Sequence, residues 1–204
     1  TEFNLLTGGK TILLACLCAG ISVIFCIMLH SFGKVFKTFS SNSYERVFFG
    51  GTVILCITLI LGTTRYSGTG IEVIASAIGG TARNSDFFWK MLFTAITLAC
   101  GYKGGEIIPS FFVGATFGCV IAPVLGLSSS LGAAIGMVSV FCGVTNCPIA
   151  SLLIALELFG KAPILYFLLA IAISYMLSGY YSLYKTQIIA VSKYKNEYVD
   201  KKTH

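Results

Sequence analysis

The feature that most constrains this chain is a run of about 50 residues, from Ile107 to Leu156, that carries no charged side chain. A transmembrane helix needs about 20 apolar residues, so this run is too long for one span and long enough for two or more. Only 11% of the 204 residues are charged, whereas a soluble domain has roughly 25%. The sequence therefore predicts an all-α integral membrane protein that crosses the bilayer several times.

The net charge of +6 is concentrated in two places. Lys34, Lys37 and Arg46 surround one gap between apolar runs, and further lysines crowd the end of the chain. Short basic segments beside transmembrane helices stay in the cytoplasm, which predicts a cytoplasmic C-terminus. Nucleic-acid binding is not expected, because the aromatic residues lie in apolar runs and not beside the lysines. The lysines of the tail are Lys185, Lys193, Lys195, Lys201 and Lys202.

The segment Ala99 to Gly118 places a glycine pair, a glutamate and a proline directly before an apolar run. Gly104 and Gly105 have no Cβ, so another group can approach the backbone closely there. Pro109 suits the first turn of a helix, which we expect to continue through Phe111 to Leu127. The start of a helix offers unpaired N–H groups and a partial positive charge, and therefore predicts an anion site within the membrane.

The other apolar segments are very unequal in length, and glycine or proline breaks several of them. About nine helical pieces are predicted, a mixture of spanning, tilted and half-length helices, which is typical of a channel or transporter that builds its site from helix ends. The tail begins with Ile188, Ile189 and Val191 and is expected to start as an amphipathic helix. The predicted apolar segments are Thr11 to Gly33, Val47 to Thr64, Ile71 to Ile78, Phe87 to Ala99, Leu131 to Phe141, Ile149 to Phe159 and Ile164 to Leu177.

The glycine pair near the start of the second apolar segment and the cysteines are expected to have structural roles. The pair Gly50-Gly51 is expected to let a neighbouring helix come close. The eight cysteines show no zinc-binding spacing and no paired C-x-x-C, so we interpret them as packing residues. We expect no metal site and no cofactor. The chain starts at Thr1 without methionine or a positively charged leader, which suggests a piece of a longer protein.

Three stretches resemble the CLC family of anion channels and transporters. GGEIIPSFFVGATFG resembles the family's G-x-F-x-P region, in the GGE-x-x-P form of the fluoride/proton antiporter branch. NCPIASLLIALELFG resembles a late half-helix that ends with a glutamate, here Glu157. SGYYSLYKTQ resembles the start of the last family helix, with its anion-contacting tyrosine at Tyr184.

The resemblance covers nearly the whole chain and matches the second of the family's two inverted repeats. It implies that residues 1–184 are the C-terminal transmembrane repeat and residues 185–204 a cytoplasmic C-terminal helix and tail. The gating motif G-x-E-x-P of the first repeat is missing from these residues. The expected partners are therefore the N-terminal half of the same protein, membrane lipid and, by resemblance, a second copy that packs through Ile149 to Leu177.

The resemblance also implies a set of anion-binding residues. The backbone N–H groups of Glu106 and Ile107 would point at a halide ion, and the Tyr184 hydroxyl would donate a hydrogen bond from the cytoplasmic side. At Ile108, members of the fluoride branch often have threonine, so chloride remains an alternative to fluoride. The implied anion-binding residues are Gly104, Gly105, Glu106, Ile107, Ile108 and Tyr184.

Glu106 matches the glutamate implicated in transport coupling in the fluoride branch. An ionisable side chain at membrane depth normally faces a cavity or a partner and marks a transport pathway. A buried carboxyl can take up a proton near neutral pH, which would couple proton and halide movement. The expected function is halide transport, with fluoride/proton antiport first and a chloride channel or chloride/proton exchanger as the alternative.

Simpler interpretations of the same residues stay open. Glu106 could pair with Lys103, Tyr184 could be an aromatic residue of the membrane interface, and Glu157 a hydrogen-bonding residue at a helix end. His30 is interpreted as a packed or interfacial side chain. A membrane enzyme is not expected, because no nucleophile with a base and no cluster of metal ligands is visible, whereas a non-transporting membrane subunit remains possible.

Overall fold

The fold, taken from a computed structural model, consists mostly of helices of unequal length. The structure describes residues 4–39, 42–184, 186–195 and 197–203; Lys185 and His204, at the ends of the predicted tail, lie outside the described residues. A single turn of 3-10 helix, Ala122–Leu125, follows the fifth α-helix. The α-helices are α1 (Leu5–Phe39), α2 (Ser43–Leu61), α3 (Ile71–Ile78), α4 (Asp86–Ala99), α5 (Ile107–Ile121), α6 (Ser129–Thr145), α7 (Pro148–Phe159) and α8 (Ile164–Leu177).

The predicted membrane architecture is confirmed. Three helical stretches, Leu5–Thr38, Ser43–Leu61 and Ile107–Leu125, are long and apolar enough to cross a membrane. α6, α7 and α8 are shorter but equally apolar. Helices α3 and α8 begin and end at the residues that the sequence predicted. α1 extends beyond the predicted span from Thr11 to Gly33 at both ends, because the helix continues through Gly8, Gly9 and Gly33.

Helices α5 and α6 form the centre of the fold and touch each other through glycines. A Cβ on Gly118 would lie 2.8 Å from the carbonyl carbon of Gly132 and 3.0 Å from Cα of Gly136. A Cβ on Gly114 would lie 2.8 Å from Cα of Met137. The backbones are therefore in direct contact, which small residues spaced four apart permit between membrane helices.

The remaining helices surround this pair. α1 packs on α4, α6 and α8, α3 lies against α5 and α6, and α7 packs on α6 and α8. α2 lies at the edge against α4. The predicted close approach at the Gly50-Gly51 pair is confirmed there, because a Cβ on Gly50 would lie 2.5 Å from Cβ of Cys100, the C-cap residue of α4.

Two predicted helix boundaries were wrong near the end of α6. The sequence predicted a helix ending at Phe141 and a break over Gly143 to Pro148, whereas α6 continues to Thr145. Gly143 lies inside the helix because its missing side chain makes room for the hydroxyls of Ser22 and Ser174. The helix ends at Thr145, and the C-cap residue Asn146 adopts the left-handed conformation with a φ of 57°.

The prediction of a helix at the start of the tail was wrong. The tail forms an antiparallel hairpin of β1 (Ile188–Val191) and β2 (Tyr198–Lys202), with Ile188 opposite Lys202. Since β-branched side chains favour strands, the Ile-Ile-x-Val sequence of β1 fits this conformation better than a helix. Only Ile189 of this strand is buried.

Lys193 attaches the hairpin to the helix bundle. Its Nζ donates to the Tyr175 carbonyl (2.8 Å), to Ser178 Oγ (3.2 Å) and to Asn146 Oδ1, and lies 4.1 Å from the centre of the Tyr175 ring. These partners lie at the C-terminal ends of α6 and α8, where a cation is favourable. Burial nevertheless lowers the pKa of Lys193 to about 8.

A buried carboxylate fixes the start of α4. Asp86 is fully buried and accepts hydrogen bonds from Arg65 Nη2 (2.9 Å), the Tyr66 hydroxyl (2.7 Å) and the Arg83 backbone N–H (3.1 Å). This network holds the loop between α2 and α3 against α4.

The prediction that the cysteines are packing residues is confirmed for five of the eight, whereas Cys16, Cys56 and Cys147 are exposed. The five buried cysteines are Cys18, Cys26, Cys100, Cys119 and Cys142.

Candidate functional site

The N-terminus of α5 lies at the predicted anion site. The first backbone bond of this helix runs from the Ser110 N–H to the Glu106 carbonyl (3.2 Å). The N–H groups of Ile107 and Ile108 therefore precede the intrahelical ladder, and Pro109 has no N–H to satisfy. Glu106 is the N-cap residue, and its side chain makes no capping hydrogen bond to the helix.

The structure brings all the predicted anion-site residues together. They line one open groove of about 630 Å³ at the start of α5. The two isoleucines and Tyr184 are between 37% and 42% exposed, so the groove is open in this chain. Its lining residues are Gly104, Gly105, Glu106, Ile107, Ile108 and Tyr184.

Tyr184 reaches the groove from the loop that follows α8. The Leu183 N–H donates to the Val144 carbonyl (2.9 Å), which ties this loop to α6. The Tyr184 N–H donates to Ser182 Oγ (3.1 Å), and its carbonyl accepts from the Thr203 hydroxyl (2.8 Å) at the end of the hairpin. Both α6 and the tail hairpin therefore set the position of this tyrosine.

Glu106 also borders a second cavity of about 240 Å³ between α1, α4 and the loop after α8. His30 and Lys37 of α1 line the same cavity, so the carboxyl has two basic side chains nearby. Sequence reasoning treated His30 as a packed residue and did not connect it with Glu106, because 76 positions separate them in the chain.

A third cavity, of about 230 Å³, lies on another side of the glycine pair. Gly104, Gly105 and Ile108 line it together with Lys90 of α4. The sequence analysis gave Lys90 no role, although a lysine within an apolar helix is itself a signal of function. Glu157, by contrast, is exposed near the end of α7 and lines none of these three cavities.

Metal chemistry has no visible basis in this site. Among the residues that the structure describes, no group of three or more His, Cys, Asp and Glu side chains could hold a metal ion. The groove offers backbone N–H groups, one hydroxyl and one carboxyl, a set of donors suited to a small anion and a proton.

Fold and site together define a class: a multi-pass helical membrane protein with a half-length helix that starts at an open groove. The comparison with family models names it, since the voltage gated chloride channel family model matches residues 1–179. The chain belongs to this family. This confirms the resemblance drawn from the sequence motifs.

Two similar proteins support the same family. The chain is 35% identical over 178 residues to the "Chloride/fluoride channel protein" of Pseudomonas syringae pv. tomato (strain ATCC BAA-871 / DC3000), a match that covers 84% of this chain and 39% of that protein. A solved structure, "Crystal structure of a CLC-type fluoride/proton antiporter", superposes with a TM-score of 0.86 at 27% identity, covering 90% of this chain and 47% of that one. The chain thus spans less than half of the length of both relatives, as expected for one of two repeats.

Proposed function

We propose that this chain forms the C-terminal half of a halide transporter, with fluoride/proton antiport as the first candidate activity. The observation that carries the proposal is the groove in which the N-terminus of α5, Glu106 and Tyr184 meet. A fluoride ion is small and strongly hydrated, so a binding site must replace its water with fixed donors. N–H groups and a hydroxyl provide these donors without a full positive charge that would hold the ion too tightly.

The proton-coupling role falls to Glu106. Its carboxylate borders the groove, so its negative charge opposes a halide there, and protonation removes that opposition. Occupation by a halide and protonation of Glu106 would then favour each other, which is the linkage that antiport needs.

Chloride is the second candidate substrate. Ile108 lines the groove with an apolar side chain, where a hydroxyl would provide one more donor to fluoride. A less strongly hydrated anion depends less on that donor. The names of the two relatives, one a chloride/fluoride channel and the other a fluoride/proton antiporter, support a halide in either case.

The open groove also supports the proposed partners. The N-terminal half of the protein would supply the missing wall, and a second copy would cover the apolar side chains that α7 and α8 expose. These include Ile149, Leu153 and Leu165, which are 76%, 61% and 52% exposed. We further propose a cytoplasmic C-terminus, because the basic hairpin follows α8 directly. The proposed protein carries out transport without a cofactor and without covalent catalysis.

Flux from liposomes tests the proposal in the full-length protein. Efflux of fluoride and of chloride, with simultaneous proton uptake, is compared for the wild type, Glu106→Gln and Tyr184→Phe. We expect Glu106→Gln to uncouple protons from the anion. Tyr184→Phe removes one hydrogen bond to a charged ligand, which predicts a rise of about tenfold in the half-saturating anion concentration.

Matched controls are available within the chain. Glu72→Gln and Tyr198→Phe remove the same groups from exposed positions outside the groove and should transport as the wild type does. A non-transporting subunit is indicated instead if both site variants retain wild-type anion flux and proton coupling.

A further inference from the structure

The third cavity contains a buried cation that the proposed transport does not yet use. Lys90 is only 3% exposed, in the second turn of α4. It lines the cavity together with Gly104 and Gly105. Burying an ammonium group in a membrane protein is costly unless another charge or a polar partner compensates it.

Lys90 has polar partners but no carboxylate among them. Its Nζ donates to the Gly68 carbonyl (2.5 Å) and the Tyr66 carbonyl (3.2 Å), and lies 5.1 Å from the centre of the Phe112 ring. No acidic side chain is present among the lining residues that the structure describes. Two of three ammonium N–H groups are thus directed to neutral acceptors, and the positive charge itself has no counterion.

The rest of the cavity is suited to a small anion. Ser67, Thr69, Thr94 and Thr97 line it beside apolar side chains, and the only charged side chain in the described lining is Lys90. The hydroxyls of Thr94 and Thr97 donate to carbonyls of their own helix, which leaves the Lys90 ammonium as the main donor to an anion. One water molecule takes about 30 Å³, so a volume of about 230 Å³ has room for a halide with several waters.

We propose that this cavity is a second halide site, in which the Lys90 ammonium holds the anion next to the Gly104-Gly105 turn. The inference depends on the proposed halide transport and adds a residue to it. Gly104, Gly105 and Ile108 form a common wall between this cavity and the groove of Tyr184. An ion beside Lys90 is therefore separated from the α5 N-terminus by one short backbone segment.

A purely structural role for Lys90 makes a different prediction. In that case the lysine only fixes the loop between α2 and α3 through the Tyr66 and Gly68 carbonyls. Glutamine retains two N–H donors for those carbonyls and removes the charge. Lys90→Gln therefore distinguishes an anion-binding role from a purely structural one. Lys90→Arg retains the positive charge and serves as the control.

The test measures anion flux from liposomes as a function of fluoride and of chloride concentration, with the full-length protein. We expect Lys90→Gln to raise the half-saturating anion concentration at least about tenfold, since two opposite charges in contact attract each other strongly where little water screens them. Lys90→Arg should stay within about threefold of the wild type. Lys161→Gln removes an equal charge from the exposed loop between α7 and α8 and should have no effect.

A second variant covers the case in which Lys90→Gln fails to fold. Thr97→Leu fills the cavity without changing any charge, and the Thr97 hydroxyl donates only within its own helix, to the Phe93 carbonyl (2.7 Å). It should raise the half-saturating concentration several-fold. Unchanged half-saturation in a folded Lys90→Gln or in Thr97→Leu overturns the second site while leaving the proposed function in place. A wild type that moves neither anion overturns the proposed function itself.

Discussion

The contact between α5 and α6 predicts a large effect from a very small substitution, Gly118→Ala. The new Cβ would lie 2.8 Å from the Gly132 carbonyl carbon and 3.0 Å from Gly136 Cα. The Gly132 carbonyl oxygen would lie closer still. Since non-bonded heavy atoms pack at about 3.5 Å, the helices must separate by roughly 1 Å or more. Because the obstructing atoms belong to the backbone and cannot rotate away, we expect a cost of about 3 kcal/mol, the upper end for overpacked cores.

Thermal unfolding of the purified protein in detergent measures this cost. Its single tryptophan, Trp89, provides the fluorescence signal. A loss of about 3 kcal/mol corresponds to a fall in Tm of about 6 to 12 °C for a chain of this size. The control is Gly20→Ala on α1, where no atom lies within 4 Å of the new Cβ and the helix should gain up to about 1 kcal/mol. If both variants melt at the wild-type temperature, the close backbone contact is not what holds these helices together.

Two further predictions concern charged groups outside the groove. Asp86→Asn breaks a buried ion pair and leaves Arg65 without its partner, so unfolding in detergent should lose about 3 to 5 kcal/mol, and an unaltered Tm would contradict that. Burial lowers the pKa of Lys193 to about 8 from its ordinary 10.5, so between these pH values the folded state binds fewer protons than the unfolded one. Stability of the wild type relative to Lys193→Met should therefore rise from pH 8 to 10.5, and parallel pH curves for the two proteins would show that the hairpin lysine is not buried.

The helices whose ends were predicted correctly are those whose ends are marked by turn-forming residues in the local sequence. Turn-forming residues enclose α3 and α8, and both helices were predicted from end to end. Most residues of the groove at the start of α5 were also predicted to lie together, since the glycine pair, Glu106 and Pro109 are consecutive or nearly so. Tyr184 was added to them by family resemblance, because no local pattern connects it with a loop some 80 residues earlier.

The parts that were missed depend on contacts between distant segments. Gly143 stays helical because the hydroxyls of Ser22 and Ser174 occupy the space beside it, and nothing near Gly143 in the sequence indicates either serine. The tail forms a hairpin because β1 can pair with β2, whereas the sequence analysis considered the Ile-Ile-x-Val stretch by itself. No role was predicted for Lys90 from the sequence, since its carbonyl partners lie more than 20 positions away.

The segment Gly104 to Ile108 borders the groove and both neighbouring cavities. In the proposed transporter, these few residues could therefore act on both the halide and the proton. The glycine pair borders the groove and the Lys90 cavity, whereas Glu106 borders the groove and the His30 cavity. In the proposed transporter, an anion held near Lys90 and a proton arriving past His30 would approach this segment from different sides. They would influence each other only through the charge of Glu106.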